Sequence, residues 1–167
     1  MKLKFSRGSI VTAGPRRQWD YQVILGNARA LQYRGEAGET RELLQGTHIA
    51  MLSEPDGSGD ADLFLDAASG LGAQVAEIRA ELWPVFPREE IGQLAAMLGR
   101  MYAAVECQGA FRYIVPMIET TACIPVYDHI ASSKHPTARI VALLEGDAPL
   151  AEKRRLVLQA VLLGTIP

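Results

Sequence analysis

Cysteine is scarce in this chain. Cys107 and Cys123 are the only two among 167 residues, too few and too far apart for a disulfide framework or a thiolate metal centre. Buried, reduced thiols at strand ends are the expectation. An excess of either charge is also missing: Lys+Arg number 17 and Asp+Glu 19, a formal net charge of −2, which gives no basic field for nucleic acid. No apolar run approaches the ~20 residues of a membrane-spanning helix. The stretch Met1-Lys2-Leu3-Lys4-Phe5-Ser6-Arg7-Gly8 has no apolar signal-peptide core. Internal repeats and low-complexity tracts are lacking as well. These absences predict a cytoplasmic globular protein with neither a nucleic-acid nor a membrane partner, and nothing in the composition calls for a cofactor.

What is present is alternation. Apolar residues make up 49% of the chain, ordinary for a single soluble domain of this length. Short apolar runs read as strands over 47–52, 73–78, 102–107 and 124–127. Between them lie segments with helical spacing at 19–34, 63–71, 89–101 and 111–121. A helix opens at His135 and ends near Gly146, and a last one covers 150–163. Residues 1–18 are expected to form an irregular arm, and 53–62 (SEPDGSGDAD) a Gly/Asp-rich loop. Strands alternating with helices at this spacing predict one α/β unit over 1–167. Its four-stranded parallel sheet is covered by helices on both faces, a three-layer sandwich with right-handed crossovers.

The stretch 123–140, CIPVYDHIASSKHPTARI, organises the rest. An apolar strand runs into a polar loop, and His135-Pro136-Thr137 then opens a helix, with Pro where its missing N–H costs nothing. Open α/β sheets bind ligands at such strand–loop–helix mouths, and a helix N-terminus favours a small anionic ligand.

His135-Pro136-Thr137-Ala138 resembles the HPTQ motif of the aspartate/ornithine carbamoyltransferase family, with Pro125-Val126 in place of that family's preceding apolar strand. Further matches follow the family's order. Leu44-Gln45-Gly46 with Ile49-Ala50 is similar to the entry into its first strand, and Glu54 to the acidic residue before its phosphate loop. Phe64, Ala67, Ala68 and Gly72-Ala73 resemble the following helix. Leu98-Gly99-Arg100-Met101-Tyr102 resembles the ornithine branch's "LGRMY", and Gly109 the glycine after the third strand. The resemblance covers roughly residues 20–145 and implies the fold of the carbamoyl-phosphate domain. Residues 151–163 resemble the helix that, in the family, returns from the amino-acid domain. The resemblance therefore implies that the amino-acid domain is absent and that 150–163 packs back on the first domain.

The resemblance also implies where chemistry should sit. The family's S-T-R-T-R phosphate loop corresponds to Gly57-Ser58-Gly59-Asp60-Ala61, so both arginines are replaced, and Asp60 and Asp62 bring negative charge to a dianion site. Losing a guanidinium clamp removes charge-assisted bonds, and a nearby carboxylate repels the ligand. The "YRG" arginine corresponds to Gln108, and the HPTQ glutamine to Ala138. His135 and Pro136 are kept. Arg88 and Arg139 are the cations left to stand in. The resemblance implies a degenerate ligand site of these residues, a homotrimer formed through this domain, and loss of carbamoyl transfer in favour of a binding or assembly role. Its alternatives are an enzyme of altered chemistry, with His135 as acid and Arg88 or Arg139 as anion ligand, and a regulatory partner of a full-length carbamoyltransferase.

Each of these residues also has a structural reading. His135 serves equally as a helix-start residue with a satisfied ring nitrogen. Asp56, Asp60 and Asp62 lack a regular cation-loop pattern and read as a solvated turn, so no metal site is expected. Trp83 and Phe86, in a bulky apolar loop over 82–88, suit the core or an interface. Lys153, Arg154 and Arg155 read as a solvated helix face.

Overall fold

The computed structural model describes residues 20–37, 43–53, 59–109 and 114–167. The arm expected over 1–18 lies outside these residues, as do Gly57 and Ser58.

Four strands form one parallel sheet: β1 (His48–Ser53), β2 (Gln74–Arg79), β3 (Ala104–Gln108) and β4 (Val126–Asp128), in the spatial order β2-β1-β3-β4. Five α-helices accompany them: α1 (Tyr21–Ala37), α2 (Gly59–Gly70), α3 (Arg88–Met101), α4 (Val115–Ala122) and α5 (Leu150–Thr165). Two 3-10 segments, Trp83–Val85 and Pro136–Leu143, complete the described elements. The predicted three-layer α/β sandwich is the observed one.

The strands' period-2 alternation divides the core. Ile49, Met51, Ala104 and Tyr127 face α1, α2, α5 and the second 3-10 helix, where the Phe64 and Tyr127 rings meet tilted at 52° with centroids 6.5 Å apart. Ala50, Leu52, Val105, Cys107 and Val126 face α3 and α4. Trp83 joins this second cluster, and Phe86 packs at its edge. The central strands β1 and β3 are thus buried on both faces, as parallel strands require.

Some expected boundaries move, for physical reasons. The helix expected from 63 begins at Gly59, because Asp60 and Asp62 in its first turn complement the helix dipole and extend it into the Gly/Asp-rich segment. β4 is only three residues long, since Pro125 cannot donate to the ladder. Its carbonyl still accepts from Val105 N at 2.9 Å. The helix after His135 is 3-10 rather than α, with β-branched Thr137, Ile140 and Val141 turned inward. Cys107 is buried as expected, but Cys123 is exposed. It ends α4 in the left-handed region, at φ 55°, rather than sitting inside a strand end.

α5 is no simple amphipathic surface helix. Every residue from Leu156 to Gly164 is buried, as befits a helix apolar on all sides. Gln159 Nε2 donates to Ala67 O at 3.0 Å, tying α5 to α2, and Tyr127 hydroxyl bonds Thr165 Oγ1. Residues 144–149 lead directly from the 3-10 helix into α5, and Gln32 of α1 holds the Glu145 carbonyl at 3.0 Å.

Candidate functional site

In this strand order β1 sits between β2 and β3, and its crossovers leave in opposite directions. α2 covers one face on the way to β2, and α3 covers the other on the way back to β3. The switch point therefore lies between the carboxyl ends of β1 and β3, where open sheets form their ligand crevice. The N-terminus of α2, Gln108 and Gly109 border it, and the segment after β4 supplies a third side.

At the α2 end stand Gly59, exposed, and Asp60, half-buried. Asp60 Oδ1 accepts from Arg154 Nη2 at 3.2 Å, and the same guanidinium nitrogen donates to Ala131 O. Arg154 of α5 thus clamps the start of α2 to the loop after β4. This corrects the reading of Lys153, Arg154 and Arg155 as a solvated face: all three are half-buried and engaged. Lys153 Nζ donates to Leu144 O at 2.8 Å, and Arg155 Nε to Glu152 Oε2 at 2.9 Å. That side-chain hydrogen bond holds the Glu152 carboxyl below its ordinary value and raises Arg155 above its own, against the opposing effect of burial.

Gln108 does not point into open space. It is buried, and its Nε2 donates to Glu106 Oε1 at 2.6 Å. Glu106 is fully buried between Met51 and Tyr127 of the adjacent strands, and the same oxygen accepts from Ile130 N at 3.1 Å. A buried carboxyl in the sheet thus anchors both the Gln108 side chain and the backbone of the loop beyond β4.

His135 takes the helix-start geometry. It is the N-cap of the 3-10 helix, and its Nδ1 accepts from Thr137 N at 3.3 Å and lies 2.8 Å from Thr137 Oγ1. In the neutral ring that arrangement places the proton on Nε2. Pro136 and Arg139 are exposed, and Ala138 is half-buried. Arg88 is not brought to His135. It is the first residue of α3 and borders a cleft with Pro116, Met117 and Thr120.

His129 escaped the sequence reading. It follows β4 in the left-handed region at φ 51°. Its Nδ1 is 2.8 Å from Asp128 Oδ1, and its Nε2 accepts from Gly109 N at 3.0 Å. The ring therefore carries its proton on Nδ1 when neutral, and it closes the β3–β4 end of the crevice. An Asp-His pair directly after an apolar strand was the available signal. Among the described residues no group of three or more His, Cys, Asp or Glu is placed to hold a metal ion, and no helix is long and apolar enough to cross a membrane.

A parallel α/β domain with its crevice at this switch point is the class the geometry defines. No family model matches the chain. It is 30% identical over 137 residues to an ornithine carbamoyltransferase of Haemophilus influenzae (strain PittGG), covering 80% of this chain and 41% of that protein. It is 26% identical over 156 residues to a catabolic ornithine carbamoyltransferase of Rhizobium meliloti (strain 1021), covering 91% and 47%. Among solved structures, ornithine carbamoyltransferase from Pyrococcus furiosus superposes with a TM-score of 0.61 at 20% identity, over 74% of this chain and 40% of that one. Aspartate transcarbamoylase from Trypanosoma cruzi, solved with N-(phosphonacetyl)-L-aspartic acid, gives 0.55 at 20% identity, over 74% and 39%. The chain is a partial member of the carbamoyltransferase family, spanning less than half the length of these curated relatives.

Proposed function

We propose that this chain is a carbamoyl-phosphate-domain relative that has lost carbamoyl transfer and works as a binding or assembly unit, with the amino-acid domain replaced by the short connection over 144–149. The observation that carries the reading is the Asp60–Arg154 pair at the N-terminus of α2. Transfer from carbamoyl phosphate needs cations on the phosphate and donors on the carbamoyl oxygen, where negative charge develops. Here the first turn of α2 reads Gly59-Asp60-Ala61-Asp62, and Arg154, the one guanidinium paired with it among the described residues, is already neutralised. Gln108 is committed to Glu106, and Ala138 has no side-chain amide to offer. A dianion at this helix end would meet the carboxylates of Asp60 and Asp62, with Gly59 and Ala61 at the positions that correspond to the family motif's arginines. Isothermal titration with carbamoyl phosphate should give no saturable heat at millimolar ligand; micromolar affinity would overturn the reading.

The altered-enzyme alternative has His135 acting with Arg88 or Arg139, and of these two Arg139 is the one on the 3-10 segment that His135 caps. Arg88 lies instead in a cleft with Pro116, Met117 and Thr120 of α4, and His135 is not among the residues lining it. Assembly is supported by the segment after β2: Trp83 is turned into the core while Leu82 and Val85 are 62% and 77% exposed. This apolar knuckle fits against another copy in a homotrimer. Sedimentation of the purified chain should give a trimer, and Val85→Asp should lower the assembly state without lowering the helical signal. A monomeric parent chain would remove the homotrimer, and co-purification with a full-length carbamoyltransferase would favour the regulatory role instead.

A further inference from the structure

The connection from the 3-10 helix into α5 borders a second cleft, next to the β1/β3 crevice and sharing Arg154 with it. It has a volume of about 490 Å³ and is bordered by Ala138, Val141, Ala142, Leu150, Lys153 and Arg154. We propose that this cleft binds a small carboxylic acid with an apolar body.

The walls are mostly aliphatic, the usual lining of a small-molecule site in which a few polar groups fix orientation. Two cations stand at one side, and they differ. Arg154 is neutralised by Asp60. Lys153 is half-buried, and among the described residues no carboxylate lies within ion-pair distance of it. Its one protein contact there is the Leu144 carbonyl, at 2.8 Å. An ammonium has three N–H donors, so a ligand has two to engage. A half-buried cation without a counter-charge is costly to keep, and a carboxylate supplies both the charge and the strong hydrogen bond. A single uncompensated charge matches a monoanion, and the aliphatic walls disfavour a polyanion such as a sugar phosphate. Leu150, 68% exposed, gives the apolar body of the acid a surface to cover. The cation assigned to the acid is Lys153, not the Arg154 that pairs with Asp60 at the crevice.

The test uses hexanoate against the full chain, followed by amide chemical shifts. Hexanoate should produce saturable shifts concentrated over 138–153, while hexan-1-ol and hexylamine should bind at least about tenfold more weakly, because neither supplies the charge-assisted bond. Lys153→Gln should weaken hexanoate by about tenfold or more and Lys153→Arg should retain it, as expected if the charge is what matters. Ala138→Phe, which fills the cleft and leaves both cations, should abolish binding even if Lys153→Gln fails to fold. The proposal is overturned by an absence of saturable shifts with hexanoate, by equal affinity for the alcohol, or by undiminished binding in Ala138→Phe.

Discussion

Gly99→Ala should destabilise this protein by about 3 kcal/mol or more, at the upper end of what overpacking costs. A Cβ at Gly99 would lie 2.1 Å from the Ala122 carbonyl oxygen and 2.8 Å from its carbon, closer than any real contact. The obstacle is backbone, not a flexible side chain. Nor can it easily retreat, because Ala122 is the last residue of α4 and Cys123 turns at once through the left-handed region towards β4. Gly92, on the same helix, supplies the control. A Cβ there meets nothing within 4 Å, so Gly92→Ala should be neutral or stabilising by up to ~1 kcal/mol, the usual gain from replacing glycine in a helix. Thermal unfolding distinguishes the two. A loss of 3 kcal/mol corresponds to a midpoint lower by roughly 6–12 °C in a domain of this size. Equal midpoints for the two variants would refute the close approach of α3 and α4.

This glycine shows what the sequence conveyed and what it did not. Leu98-Gly99-Arg100-Met101-Tyr102 was legible as a family-like motif, and the apolar periodicity around it as a helix. The reason for the glycine lay in α4, more than twenty residues on, where periodicity carries no information. The sheet was legible for a general reason: four short apolar runs separated by helical segments have few ways to bury both faces of each central strand. The local ends were less so, because acidic residues that read as loop formers also suit a first helical turn, as Asp60 and Asp62 do. At the candidate site the residue types were legible and their contacts were not. Arg154 meets Asp60 across 94 residues of chain, and Ile130 meets Glu106 across 24. Neither pairing leaves a trace in local spacing. α5 misled for a related reason: its cations announce a solvated face, yet its last nine residues before Thr165 are enclosed because three other elements surround them.

Glu106→Ala should cost about 3–5 kcal/mol, the range for removing one partner from a buried charged or strongly polar network. The loss has two parts. The side chain leaves a void between Met51 and Tyr127, and its oxygen no longer accepts from Gln108 Nε2 and Ile130 N. Both donors would then be buried without an acceptor, which costs more than the bonds themselves contribute. Glu106→Gln keeps the shape and one carbonyl acceptor and should lose roughly half as much. The double variant Glu106→Leu/Gln108→Leu removes an acceptor and a donor together and should be less damaging than Glu106→Ala. A cycle built from the single and double variants should therefore return a coupling energy above ~1 kcal/mol, as expected for residues sharing one network. Urea unfolding measures each value, and a loss below ~1 kcal/mol for Glu106→Ala would show that the network contributes little. The consequence for the site follows from Ile130. Its N–H is fixed by Glu106 just after His129 and five residues before His135, so the carboxyl in the sheet sets the position of both rings. In Glu106→Gln, folded but altered at this point, the ring resonances of His129 and His135 should shift together. Movement of neither would mean that the loop after β4 holds its shape without the sheet beneath it, and that the Arg154 clamp on Ala131 is sufficient to fix it.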